Sequence, residues 1–74
     1  MKFNERIRAL REDEDKTQSD IAKIFNTTQR KISRLETGES QPTLQDIEQY
    51  CLLYNKSADY ILGYTDVPKP LPKK

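Results

Sequence analysis

The 74-residue sequence contains no histidine and one cysteine, Cys51. A single cysteine cannot form an intramolecular disulfide. Without a Cys/His cluster no zinc-type site is expected either, so the chain has neither of the staples that small domains use. A lone thiol fits a reducing compartment, and Met1–Glu5 lacks the apolar stretch of a signal peptide, so a cytoplasmic location is expected. No segment nears the ~18 consecutive apolar residues of a membrane span. Most hydrolytic and acid–base mechanisms need a histidine, a paired base or a metal. A chain this short that lacks them is not expected to be an enzyme, and neither cofactor nor metal is expected. Glycine is scarce as well: Gly38 and Gly63 are the only two, and each follows an apolar helical pattern as a stop.

Net charge is also small, at +1, so bulk charge points to no partner. Its distribution is more informative. Residues 1–16 balance to zero. Residues 17–38 carry Lys23, Arg30, Lys31 and Arg34 against Asp20 and Glu36, and residues 39–65 carry Lys56 against Glu39, Asp46, Glu48 and Asp59. A weakly basic middle followed by an acidic half is a directional field that would orient a small domain on a polyanion.

Five helices are expected from caps and apolar spacing. Asn4 is placed as cap of the first, with Ile7, Leu10 and Phe3 inward, and the acidic run Glu12–Asp15 opposes the helix dipole and ends it. Thr17 caps the second, with Asp20 three residues on, Ile21, Ala22 and Phe25 inward, and Asn26 as a left-handed stop. Thr28 caps the third, which seats Ile32 and Leu35 and ends at Gly38. Thr43 caps the fourth, whose apolar positions are Leu44, Ile47, Tyr50, Cys51 and Tyr54, closed by Asn55. Ser57 caps a short fifth over 58–62, stopped by Gly63. Residues 1–65 form one domain in this reading. Residues 66–74, with Pro68, Pro70 and Pro72, form an extended tail or linker ending in Lys73 and Lys74.

The turn Asn26-Thr27-Thr28 is too short for an antiparallel hairpin and sets the second and third helices at a steep angle, with small Ala22 at the crossing. The outer face of the third helix then carries Gln29, Arg30, Ser33 and Arg34. Glutamine pairs bidentately with adenine and arginine with guanine at major-groove edges. Lys31 and the Thr28 hydroxyl suit phosphates better.

The order and spacing of these segments resemble the Cro and phage-repressor type helix-turn-helix family, also called XRE-like. The resemblance runs from about Arg6 to Asp66 through Ile7–Glu12, Thr17–Ala22, Ile32–Gly38, Pro42–Leu44 and Ser57–Asp66. It implies an all-α, compact five-helix lambda-repressor-like domain that binds double-stranded DNA in a transcription regulator. A phage- or mobile-element-type repressor is expected, acting as a homodimer on a pseudo-palindromic operator. By the same resemblance, Gln29, Arg30, Ser33 and Arg34 fall where bases are contacted. Gln18 falls where a glutamine touches phosphate and braces the one opening the recognition helix. Thr37 and Gly38 fall where backbone meets phosphate, and Arg11 and Glu36 match a structural salt bridge. Tyr60, Ile61 and Tyr64 are either the edge of the core or a dimer surface, and are assigned to the latter.

Several positions depart from the family pattern. Asp15 and Lys16 replace a common Gly and an apolar residue, Glu39 stands where a basic side chain often faces DNA, and Lys56 replaces Val or Ile. Other readings stay open. Arg30, Lys31 and Arg34 also suit a merely solvated face, and Ser33 a spacer. The same domain would also serve an antitoxin or other protein-interaction module with secondary DNA binding, or the first part of a longer repressor.

Overall fold

A computed structural model describes residues 1–71; Pro72, Lys73 and Lys74, named above as the end of the tail, lie outside the described residues. Five helices follow one another, α1 (Phe3–Asp13), α2 (Gln18–Ile24), α3 (Gln29–Thr37), α4 (Leu44–Tyr54) and α5 (Ala58–Ile61), and no strand occurs among the described residues. None of these helices is long and apolar enough to cross a membrane.

Side chains open four of the helices. Thr17, Thr28, Thr43 and Ser57 accept the amides of Asp20, Lys31, Asp46 and Tyr60, three residues on in each case. This satisfies a donor that the first turn leaves unpaired. In α2 and α4 the aspartate at that third position reaches back to the amide of its threonine, closing a reciprocal pair at 2.8 and 2.9 Å. α1 differs from the expectation. It begins at Phe3, with Lys2 in the cap position and the Lys2 amide donating to Glu5, so Asn4 lies inside the helix. The Asn4 amide group instead reaches the Glu36 carbonyl at the end of α3, at 3.5 Å.

The helix ends share one device. After α1, α2, α4 and α5 the chain turns through Asp15, Asn26, Asn55 and Gly63, all at positive φ. The following amide bonds back five residues: Lys16 to Arg11, Thr27 to Ala22, Lys56 to Cys51 and Tyr64 to Asp59. The left-handed residue satisfies the last carbonyls while reversing the chain. Glycine is required at 63, where a Cβ would lie 1.7 Å from the Met1 carbonyl oxygen.

These reversals fold the apolar stripes onto one another. Ile7, Ile21, Ile32, Leu35, Tyr50 and Ile61 are wholly enclosed. Each buried aliphatic side chain is worth about 1.5–3 kcal/mol. Tyr50 lies central, with the rings of Phe3 and Phe25 edge-on to it at 5.9 and 4.9 Å and Tyr54 stacked at 6.3 Å. Burial pushes the Tyr54 hydroxyl up to about 12. Cys51 is a small core residue, as its spacing suggested. Leu44, in contrast, is 74% exposed, while Asp46 in the same turn of α4 is buried.

The first residues of the tail make contacts with the domain. The buried Arg6 guanidinium lies 3.9 Å above the Tyr60 ring and donates to the Thr65 carbonyl and to Asp66, at 3.1 and 2.8 Å. The Ser57 amide donates to the Lys69 carbonyl, and Leu71 packs against the core. Residues 66–71 therefore lie along the domain.

The capping aspartates make stability depend on acid. Hydrogen bonds from Thr17 hold the Asp20 carboxyl below its usual 3.8. Burial pushes Asp46 up, but hydrogen bonds from Thr43 and Lys31 outweigh it and leave Asp46 lowered as well. A group lowered in the fold binds protons more readily in the unfolded chain, so its contribution is present above 3.8 and lost as pH falls through the folded value. Urea unfolding is expected to show a midpoint steady from neutral pH to about 5 and declining below about 4, with a shallower decline in Asp46→Asn. A parent midpoint unchanged between pH 5 and 3 would contradict this.

Candidate nucleic-acid interface

α3 packs against α2 and α1 through Ile32 and Leu35, which leaves its opposite side outward. The tight reversal at Asn26 and Thr27 sets this orientation, and Ala22 at the junction is buried. Gln29, Arg30, Ser33 and Arg34 are brought together there, lining a shallow depression of about 500 Å3 with Glu39. The surface is polar, open and borne on a rigid helix, suited to the edge of a duplex groove rather than to a small molecule.

Behind this face runs a chain of polar contacts. Arg11 grips Glu36 with two hydrogen bonds, Nε to Oε2 at 2.8 Å and Nη2 to Oε1 at 2.9 Å. Its Nη1 donates to the Lys16 carbonyl at 2.8 Å, so one guanidinium ties α1 to the turn before α2 and to α3. The Glu36 side chain is only 3% exposed. Glu36 Oε1 also accepts from Gln18 Nε2 at 3.1 Å, and Gln18 Oε1 accepts from Gln29 Nε2 at 3.4 Å. Because an ionised carboxylate only accepts, it dictates which way the Gln18 amide faces, and Gln18 in turn dictates Gln29. Gln29 is left with its oxygen and one N–H free, the acceptor–donor pair that matches adenine N6 and N7. Arg11 and Glu36 thus form a two-bonded ion pair, and Gln18 bridges Glu36 to Gln29.

The other expected residues fall into two groups. Thr28 is exposed, and its oxygen caps α3 while its hydroxyl proton remains available. Thr37 and Gly38 are exposed at the end of α3, with the Thr37 hydroxyl donating to the Arg34 carbonyl at 3.3 Å. Lys31 differs from expectation. Its ammonium lies 2.9 Å from Asp46, a carboxylate 6% exposed, so it clamps α3 to the start of α4 and its charge is compensated locally. Ile61 must be corrected: it is 0% exposed and belongs to the core, which removes it from any dimer surface. Tyr60 is half-buried beneath Arg6, whereas Tyr64 is 82% exposed.

The sequence reading missed three contributors. Asp46 counts in the sequence only as one of the acids of residues 39–65, but its carboxylate has one oxygen on the Thr43 amide and a second for Lys31. Glu39 was seen as a departure, not as the partner of Arg34, whose Nε it approaches to 3.6 Å. Arg6 was given no inward role, although it follows Phe3 by one helical turn on the same stripe.

The sequence profile of the helix-turn-helix family matches residues 7–61. An uncharacterized HTH-type transcriptional regulator of Bacillus subtilis, YobD, is 32% identical over 68 residues, covering 92% of this chain and 61% of the relative. The chain thus spans about 61% of the length of that curated relative. No solved structure matches significantly. With the profile covering most of the chain, five helices in the expected order and a braced α2–α3 pair, this chain belongs to the helix-turn-helix family of the Cro and phage-repressor type.

Proposed function

We propose that residues 1–65 form the DNA-reading domain of a sequence-specific transcription regulator, a repressor of phage or mobile-element type, with 66–74 as its tail. The observation that carries this reading is the polar chain from Arg11 through Glu36 and Gln18 to Gln29, which holds a base-reading side chain in one orientation on an exposed helix face. The regulator named in Bacillus subtilis supports the same reading. Gln29, Arg30 and Arg34 meet base edges and Ser33 lies between them. Gln18, Thr28, Thr37 and Gly38 meet phosphate, and Lys31 supports α3 from the side.

One module of this size buries roughly 600–1,000 Å2 on DNA, too little for tight binding. A homodimer on a pseudo-palindrome answers that, its half-sites about 34–36 Å apart. The domain measures 30 × 24 × 23 Å, so two copies fit side by side at that spacing. Tyr64, with the edge of Tyr60, is the surface for such a contact. Titration of a duplex across 50–200 mM salt, with sedimentation of the complex, tests this. The expected result is two chains per operator and an affinity falling steeply with salt. A salt-independent affinity or one chain per site contradicts it.

Exposed Leu44 and Leu52 on α4 favour a second reading, an antitoxin-like module whose first partner is a protein. Substituting both by serine without effect on DNA binding, but with loss of a co-purifying partner, would support it.

A further inference from the structure

Glu39 follows Gly38, whose φ of 83° turns the chain out of α3. The Glu39 carboxylate returns toward the helix and places Oε2 3.6 Å from Arg34 Nε, with both side chains about half exposed, 48% for Arg34 and 65% for Glu39. It also lines the same depression as Gln29, Arg30 and Ser33. On electrostatic grounds an acid is out of place here, because a surface that meets phosphates gains affinity from every added cation and loses it with every anion. Its position beside one arginine gives it a use. A guanidinium carries five N–H donors in a rigid fork. A carboxylate on the Nε side leaves the two terminal Nη groups pointing away, and a bidentate contact to guanine O6 and N7 takes two such neighbouring donors.

We propose that Glu39 is a positioning and specificity-determining residue that holds Arg34 by its Nε side, aims the Nη pair at a guanine and penalises Arg34 contacts to phosphate. This rests on the reading above in which Arg34 contacts a base. In the free protein the pair is exposed and weak. Between protein and groove, where water is excluded, the same charges attract more strongly and the orientation hardens. On the wrong sequence Arg34 turns to the backbone, and Glu39 then faces phosphate without a partner. The acid lowers affinity for all DNA but lowers it least for the correct site.

The test compares the parent with Glu39→Gln, Glu39→Asp, Arg34→Ala and the double variant Glu39→Gln/Arg34→Ala. Each is used in selection from a random duplex pool and in titrations of the selected and random duplexes, with thermal melts to confirm folding. Glu39→Gln is expected to bind random duplex several-fold more tightly. It should also relax the preference at the one base pair that Arg34→Ala relaxes, by part of the about 5- to 150-fold that a bidentate contact carries. Glu39→Asp should retain that preference, and in the Arg34→Ala background Glu39→Gln should relax nothing further. The proposal is overturned if Glu39→Gln raises affinity on every duplex while base preferences stay unchanged, since Glu39 then supplies only bulk repulsion. It is also overturned if the altered preference lies at a different base pair, since Glu39 then reads a base itself. A parent that selects no sequence overturns the underlying reading as well, and that failure is visible before any variant is made.

Discussion

Glu36→Ala is expected to cost about 3–5 kcal/mol of folding stability, the loss seen when one partner of a buried ion pair is removed. The pair is well enclosed, with side-chain exposures of 13% for Arg11 and 3% for Glu36. The substitution strands the Arg11 guanidinium, whose Nε and Nη2 lose their acceptor, and also frees the Gln18 amide. A 74-residue chain holds roughly 4–11 kcal/mol in total, at about 0.05–0.15 kcal/mol per residue. The variant should therefore be largely unfolded at moderate temperature or in low urea. The matched double variant Arg11→Met/Glu36→Leu removes both charges and fills the space, so it should recover most of the loss. It should not recover DNA reading, because nothing then orients Gln18. Urea unfolding of the three proteins checks this, and a cost below about 1 kcal/mol for Glu36→Ala would show that the pair is no more than a surface contact.

Gln29→Ala is expected to act in the opposite sense, on binding and not on folding. Gln29 is exposed, and among the described residues its side-chain amide donates only to Gln18, at 3.4 Å, so stability should stay within about 0.5 kcal/mol of the parent. Binding to the selected operator should weaken by about 1–3 kcal/mol, while binding to random duplex should be unchanged. Gln18→Ala should show a smaller version of the same loss, because it leaves Gln29 in place but free to rotate. Equal weakening on both duplexes would reassign Gln29 to phosphate.

Local chemistry was legible in the sequence, and contacts across helices were less so. Thr17, Thr28, Thr43 and Ser57 were read as caps, and Asn26, Asn55, Gly38 and Gly63 as stops, because each acts on a backbone within a few residues of itself. Apolar spacing likewise placed Ile7, Ile21, Ile32, Leu35, Tyr50 and Cys51 inward. It failed at Leu44, because periodicity gives a face and not how far the neighbouring helix extends to cover it. It failed at Ile61 for the related reason that a helix of four residues has too little pattern to separate a core position from an exposed edge. Charged residues were hardest. A lysine on an outer face is equally suited to phosphate and to an acid on another helix, and only the folded chain brings Asp46 to Lys31. Arg6 was overlooked because a cation on an apolar stripe reads as a boundary until Tyr60, Thr65 and Asp66 close around it. The Arg11–Glu36 pair, 25 residues apart, was reached only through the family resemblance, since no local rule joins them.

Selection of bound DNA from a random duplex pool, run in parallel for the parent and Gln29→Ala, tests most directly whether the outer face of α3 reads sequence. The parent should enrich a pseudo-palindrome with half-sites about one helical turn apart, and Gln29→Ala should enrich the same sequence with one base pair per half-site relaxed. Retention of DNA by both proteins with a steep salt dependence and no enriched sequence would contradict the account, leaving α3 a phosphate-binding surface and nothing more.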